Sequence, residues 1–209
     1  MEFGIRSGRH RYAFAAPDGD DIGEFMRSGG HPYEHDLLLT LAPFVRSSSV
    51  VVDVGANIGN HTLFFAVVRE ASVHAFEPNP VARGWLLRNV ELNQIGHIFV
   101  HDQALSDDRG RASIVSDGTL GEARAIRDAE GSIEVCRLDD FGLAREIRIS
   151  VLKIDVEGVE EQVLGGADRT IREHRPLIAV EARDRVARET LDVLLREYGY
   201  RRLRWEFAH

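Results

Sequence analysis

From residue 50 onward, short apolar runs rich in β-branched residues alternate with longer amphipathic stretches. No other feature of the chain constrains its fold as much. Val50 to Val54, Val73 to Phe76, Ile98 to His101, Val151 to Ile154 and Leu177 to Val180 read as strands with apolar residues on both faces. Helical patterns separate them, from about Gly59 to Arg69, from Val81 to Leu92, from about Val159, and from Arg188 to Tyr198. Strands that are apolar throughout need cover on both sides, and helical crossovers keep successive strands parallel. The expected fold class is therefore α/β, a Rossmann-like, doubly wound, mostly parallel sheet.

Two regions break the rhythm. Up to about Gly30 the chain is Gly-rich and short-ranged, which suits a small hairpin through Phe3 and Tyr12. A helix is then expected from about Tyr33 to Phe44, with Leu37, Leu38 and Leu41 turned inward. Arg111 to Val115 and Ser132 to Leu138 flank a Gly-rich polar stretch and read as an inserted hairpin, with Ser116 to Gly131 as a lid or substrate loop. No repeat or linker divides the 209 residues, so one domain over 1–209 is expected: a cap and helix over 1–45 and a Rossmann-like core over 46–209.

A net charge of -8 argues against the broad basic face of a nucleic-acid binder. Arginines do gather from Arg169 to Arg204, but Glu173, Asp184, Glu189 and Glu197 are mixed among them, as on a solvated, salt-bridged helical face. Apolar runs such as Leu37 to Val45 are too short to span a bilayer, and Arg6, Arg9 and Arg11 precede no apolar signal segment. Neither a membrane nor a nucleic-acid partner is expected. The single cysteine, Cys136, fits a reducing cytoplasm, and its apolar neighbours suggest a buried strand position. Lys153 is the only lysine, a bias that suggests a GC-rich bacterial genome.

In doubly wound sheets ligands sit beyond the carboxyl ends of the strands, at the point where strand order reverses. The first strand ends in Asp53-Val54-Gly55-Ala56-Asn57-Ile58-Gly59-Asn60-His61. A dinucleotide site would want glycine where Asn57 stands, so that a pyrophosphate can touch the backbone. Asn57, with the acid Asp53 ahead of the first glycine, suits a cofactor bearing a carboxylate and an ammonium. His61 reads more naturally as a packing residue than as a base. Glu77 ends the second strand, at the spacing of an acid that accepts both ribose hydroxyls; the alternative is a cap for the helix at Val81, and the first loop favours the ribose. Asp102 follows the third strand, where an adenine would lie; it could accept from the exocyclic amine or be a plain turn acid. The fourth strand ends in Lys153-Ile154-Asp155-Val156-Glu157-Gly158, with a lysine whose burial would demand a partner, Asp155 or Glu157. Glu181 ends the fifth strand and can face the same cleft.

These residues closely resemble the FkbM-type family of S-adenosylmethionine-dependent methyltransferases. The resemblance rests on Val51 to Gly59, Phe76-Glu77-Pro78-Asn79, Ala104-Leu105-Ser106-Asp107 and Leu152 to Gly158. Asn89, Asn93, Leu138-Asp139-Asp140 and the pair Tyr33-Glu34 are similar too. It implies a class I methyltransferase fold and S-adenosyl-L-methionine as cofactor. The cofactor-binding set it implies is Asp53, Gly55, Ala56, Asn57, Gly59, Asn60, His61, Glu77, Pro78, Asn79, Asp102 and Ala104, with Glu34 near the methionine end. The implied activity is O-methylation of a hydroxyl on a sugar or small natural product. Asp155 is the first choice for the base that takes the hydroxyl proton, with Glu157 and Glu181 behind it. The chain departs from the pattern at its end. It stops soon after Tyr200 to Phe207, where such folds usually add a last antiparallel strand, so an open sheet edge is expected.

Four rivals stand beside this reading. His31-Pro32-Tyr33-Glu34-His35 has the spacing of an inverted zinc peptidase site, but Pro32 marks a helix start and no metal is expected there. Asp155, Glu157 and Glu181 could instead hold magnesium. The chain could also be a NAD- or nucleotide-binding α/β enzyme, which Asn57 disfavours, or a non-catalytic S-adenosylmethionine-binding module.

Overall fold

The computed structural model describes residues 1–116, 123–141 and 147–203. Five strands, β3 (Val50–Val54), β4 (Ser72–Phe76), β5 (Ile98–His101), β10 (Ile149–Ile154) and β11 (Leu177–Val180), form the expected parallel sheet in the order β11-β10-β3-β4-β5. The chain builds outward from β3 to β5, then returns to β10 on the opposite side. The switch point therefore falls between β3 and β10.

Alternate residues along each strand feed two separate cores. Val51, Val73 and Val151 pack on one face with Phe14, Met26, Leu38, Phe64 and Phe65 from the amino-terminal elements. Val52, Leu152 and Ile154 pack on the other with Leu138, Leu164, Ile171 and Leu191. The second face is covered by α5 (Glu160–Gly166), α6 (Asp168–His174) and α7 (Arg185–Glu197). Both faces are dry, which explains why the strands carry no polar alternation.

The amino-terminal hairpin forms as expected, from β1 (Glu2–Ser7) and β2 (His10–Ala15), with Ile5 opposite Tyr12. The Gly-rich stretch after it contains a helix that the sequence reading missed, α1 (Asp21–Gly29). Its signals are local: Asp20 Oδ1 accepts from Gly23 N at 2.7 Å, and Gly30 closes it with φ 66°. The next helix, α2 (His35–Leu41), begins later than expected because Glu34 is left-handed at φ 51°. The helix expected over 59–69 is one α-helical turn, α3 (Asn60–Leu63), which then widens into π-type turns over Phe64–Val68.

Asparagines of α4 (Pro80–Leu92) and its cap treat the edge of β2 as a strand partner would. Asn93 Oδ1 accepts from Ala13 N at 2.9 Å and its Nδ2 donates to Ala13 O at 2.7 Å. One turn earlier, Asn89 repeats the pair at Ala15 and also donates to Ile58 O at 2.9 Å. Asn89 is fully buried, so each of these bonds also spares a backbone group from desolvation.

Between β5 and β10, where the alternation would call for a covering helix, stands a four-stranded sheet of order β6-β9-β7-β8. It comprises β6 (Ala104–Leu105), β7 (Gly110–Val115), β8 (Arg124–Arg127) and β9 (Ile133–Cys136). The expected hairpin is present as the antiparallel pair β7–β9, with Ala112 opposite Ile133. The expected loop over 116–131 is corrected in part, because β8 lies within it and pairs with β7; residues 117–122 lie outside those described. Cys136 is half-buried in β9, and burial pushes its thiol up to about 11. Residues 204–209, on which part of the last-strand expectation falls, are also outside the description; among the described residues β11 edges the sheet. No helix among the described residues is long and apolar enough to cross a membrane.

Register sets four rings in a ladder on β4 and β5, with His74 opposite Phe99 and Phe76 opposite His101. His74 stacks on Phe99 at 4.6 Å and on His101 at 5.2 Å, and its Nδ1 lies 3.0 Å from His101 Nε2. Burial, then the neighbouring His101, lowers His74 to about 4. An unfolded imidazole takes a proton near pH 6.5, so this neutral pair stabilises the fold fully above that pH. The contribution is lost as pH falls from there towards 4. Melting temperature should fall through this window, by the equivalent of about 2 kcal/mol. His74→Phe, which keeps the stack, should flatten that part of the profile; an unchanged slope in the variant would dismiss the pair as its source.

Candidate active site

The ends of β3 and β10 meet at Lys153. Register places it directly across from Asp53, so the two side chains leave the sheet on the same face. Its Nζ lies 3.2 Å from Asp53 Oδ1 and 3.3 Å from Asp155 Oδ2, and donates to Gly55 O at 2.9 Å. Burial alone would lower the lysine, but the two carboxylates hold it above its ordinary value. Asp53 is completely buried, and its other oxygen accepts from the Thr62 hydroxyl of α3 at 2.6 Å.

Gly55 and Ala56 then dock the turn onto β4, both amides donating to Phe76 O, at 3.0 and 3.1 Å. Gly55 has φ 78°, and a Cβ there would collide with the Asp155 carbonyl oxygen. Its close approach is thus to the neighbouring strand end. Asn57 follows, left-handed at φ 49°, and its amide donates to Glu77 Oε2 at 2.7 Å. Glu77 Oε1 accepts from Asn79 N at 2.8 Å. Burial outweighs these two amides and pushes the Glu77 carboxyl up to about 7.

A cavity of about 750 Å³ opens above these turns. Of the residues singled out from sequence, Glu34, Gly55, Asn57, Glu77, Pro78, Ala104, Asp155, Glu157 and Glu181 line it. Three of its lining residues, Glu34, Asn57 and Glu157, hold positive φ without being glycine. Such conformations cost on the order of 1 kcal/mol each and cluster where side chains must be aimed. Glu34 Oε2 lies 3.1 Å from His61 Nε2, and His61 faces a second cavity that shares the Glu34, Asp155 and Glu181 wall.

Other residues of the set stand elsewhere. Asp53 anchors Lys153 beneath the turn. Ala56 packs on Ala75 and Leu86, and Gly59, at φ 97°, lies against Leu86. Asn60 clamps the Tyr33 backbone from both sides, accepting from its amide at 3.2 Å and donating to its carbonyl at 3.0 Å. Asn79 caps α4 through Val81 N. Asp102 is exposed and lines neither cavity, whereas Gln103 and Ser106 line the first at that strand end. Sequence reasoning missed Pro17 to Ile22 and Tyr33 as lining residues; the Asp20 cap that turns the chain there was the available signal.

Asp155, Glu157 and Glu181 bring one oxygen each within 4.8 Å of the others. Burial would raise Asp155, but Lys153 and a hydrogen bond from Glu181 hold it below the usual carboxylate range. That hydrogen bond, then burial and the charges of Asp155, Glu157 and Glu34, raise Glu181. The two carboxylates thus titrate as a coupled pair, in which Asp155 favours the charged form and Glu181 the protonated one, and both belong to the set expected to supply the base, with Asp155 first and Glu157 and Glu181 behind it. Burial and the charges of Glu34, Glu181 and Asp155 also raise the Tyr33 hydroxyl.

The family model described as the methyltransferase FkbM domain matches residues 53–202. The hexuronic acid methyltransferase AglP of Haloferax volcanii is 28% identical over 142 residues, covering 66% of this chain and 58% of its own. The 31-O-demethyl-FK506 methyltransferase FkbM of Streptomyces tacrolimicus is 33% identical over 160 residues, 59% of this chain and 61% of its own. The chain thus spans about three fifths of the length of these curated relatives. The crystal structure of methyltransferase FkbM from Methylobacillus flagellatus superposes with a TM-score of 0.51 at 25% identity, covering 72% of this chain and 37% of that one.

Lys153→Met should destabilise the protein by about 3–5 kcal/mol in denaturant unfolding, because it leaves Asp53 and Asp155 charged without a counter-ion. Adding Asp53→Asn to that variant should restore part of the loss. A double variant no more stable than Lys153→Met alone would rule out repulsion as the cause.

Proposed function

The chain belongs to the methyltransferase FkbM domain family, and from that premise we propose that it moves a methyl group from S-adenosylmethionine to a hydroxyl of a sugar or small natural product. The relatives support that acceptor class by what their names state. We read 1–209 as one methyltransferase unit, a cap over 1–45 on a core over 46–209.

The observation that carries the cofactor assignment is the Glu77 carboxylate, fixed through Asn57 and Asn79 in the wall of a chamber of about 750 Å³. That volume suits a nucleoside carrying an amino-acid tail. Asn57 Oδ1, buried without a partner, offers an acceptor to such a ligand. Glu77 would take the ribose hydroxyls, Ala104 and Ser106 would border the adenine, and Glu34 would stand at the ammonium end. S-adenosylmethionine supplies, when bound, a methyl group already activated by its sulfonium. What remains for the chain is to align the acceptor oxygen and receive its proton. The Asp155–Glu181 pair does the second, with Lys153 fixing its orientation from behind.

S-adenosylhomocysteine should bind with micromolar affinity, roughly -8 kcal/mol, and NAD negligibly. Because the ionised Glu77 accepts from the ribose, affinity should rise as pH increases through about 7. Glu77→Gln should bind about tenfold more weakly and lose that pH dependence. Titration calorimetry from pH 6 to 8.5 reads both; tighter binding of NAD would overturn the cofactor.

Asp155→Asn should slow S-adenosylhomocysteine formation by about 10²–10⁴ while changing cofactor affinity far less. The three converging carboxylates also favour a second reading, in which a divalent ion assists the acceptor oxygen. Activity that survives exhaustive EDTA treatment supports proton transfer to the carboxylates; loss by chelation and rescue by magnesium would establish the metal instead.

A further inference from the structure

The second cavity, of about 830 Å³, has two unlike halves. Glu34, Asp155 and Glu181 form the wall it shares with the first chamber. Its remaining wall is apolar at Leu41, Phe44 and Leu195 and carries Arg183, Arg188, Arg196, Arg201 and Arg202 beside two acids, Asp184 and Asp192. Arg188 of this cavity is engaged in an interaction of its own, and the other described arginines of the stretch fall into two groups. Arg172, Arg185 and Arg202 pair with Asp168, Glu189 and Asp192, and Arg169 and Arg175 donate to backbone carbonyls. The guanidinium groups of Arg183, Arg196 and Arg201 make no hydrogen bond or ion pair among the described residues, and all three line this cavity. An exposed arginine needs no partner in water. Three lining one chamber, where arginines outnumber the acids Asp184 and Asp192 in a chain of net charge -8, nonetheless offer positive charge to an oxyanion, which a planar guanidinium grips with two parallel donors.

We infer that this second chamber is the acceptor site, and that it takes a small hydroxylated molecule bearing a carboxylate or a phosphate. The inference rests on the methyltransferase reading and adds the class of substrate. The anionic group would sit among Arg183, Arg196 and Arg201, and the apolar wall would take one face of the molecule. Its hydroxyl would reach the wall of carboxylates shared with the first chamber. There the new O–C bond forms as the S–C bond breaks, the electron pair of that bond stays on sulfur, and the hydroxyl proton passes to the Asp155–Glu181 pair. Like charges at that wall would repel the anionic end of the acceptor, which sets the direction in which it enters.

Calorimetry on the protein loaded with S-adenosylhomocysteine tests this, with D-glucuronate, glucose 6-phosphate and the neutral methyl α-D-glucoside as probes. At least one charged probe should bind about tenfold or more tightly than the glucoside, and less tightly as salt is raised. The stronger of the two names the oxyanion. An Arg196→Gln/Arg201→Gln double variant should weaken that probe about tenfold and leave S-adenosylhomocysteine affinity unchanged. Equal binding of the glucoside, no binding of either charged probe, or undiminished binding to the double variant would overturn the anionic acceptor. Failure of S-adenosylhomocysteine itself to bind would instead bring down the methyltransferase reading, and this inference with it.

Discussion

A single ammonium group, placed among apolar strands, fixes the geometry on which the rest of the site depends. Lys153 has three donors, and three oxygens from two adjacent strand ends surround it. Isolated, it would cost several kcal/mol to bury. Surrounded in this way, it ties the turn after β3 to the end of β10 and orients one carboxylate towards the cavity. Asp53 needs no contact with a ligand to matter, since it holds the lysine that holds Asp155. The Thr62 hydroxyl extends the same cluster to the first turn of α3, so strand, turn and helix share one electrostatic anchor.

The parallel sheet was legible because its strands are apolar on both faces, a pattern few other arrangements satisfy. The site was legible at the level of strand ends, because the switch point says where ligands gather whatever their chemistry. Individual roles were less so. A motif places residues next to one another in sequence, but Asp53 lies within β3 and is completely buried beneath the turn, while Gly55, just past the strand's end, lines the cavity. Asn60 could not be read as a clamp, because its partner, Tyr33, is 27 positions away. Helix α1 and strand β8 escaped for a different reason. Both are short and interrupted by glycine or arginine, so their apolar pattern spans too few residues to stand out, and the Asp20 cap and the pairing with β7 mark them instead.

Two chambers share one wall, formed by Glu34, Asp155 and Glu181. Of the left-handed residues, Glu34 stands in that wall with Asp155 and Glu181, while Asn57 and Glu157 face the first chamber. The amino-terminal segment supplies Tyr33 and Glu34 to this arrangement, and α3 fastens both, Asn60 through the Tyr33 backbone and His61 through the Glu34 carboxylate. The cap is thus part of the site's construction, while the second sheet, standing where a helix would cover β5, borders the opposite end of the first chamber.

The paired asparagines on α4 bear on how the chain reaches this state. The β1–β2 hairpin is local and can form within microseconds, yet its free edge is satisfied only by side chains 74 to 80 positions away. Until α4 has folded and come to rest on β4, Asn89 has no fixed position from which to meet Ala15 and Ile58. Docking of the hairpin therefore closes a long loop and fastens the turn after β3 through the same asparagine. A chain in which that contact had not formed would expose an unpaired strand edge and leave the turn after β3 unfastened together, so a single lost contact would bring both an open edge and a loosened switch point.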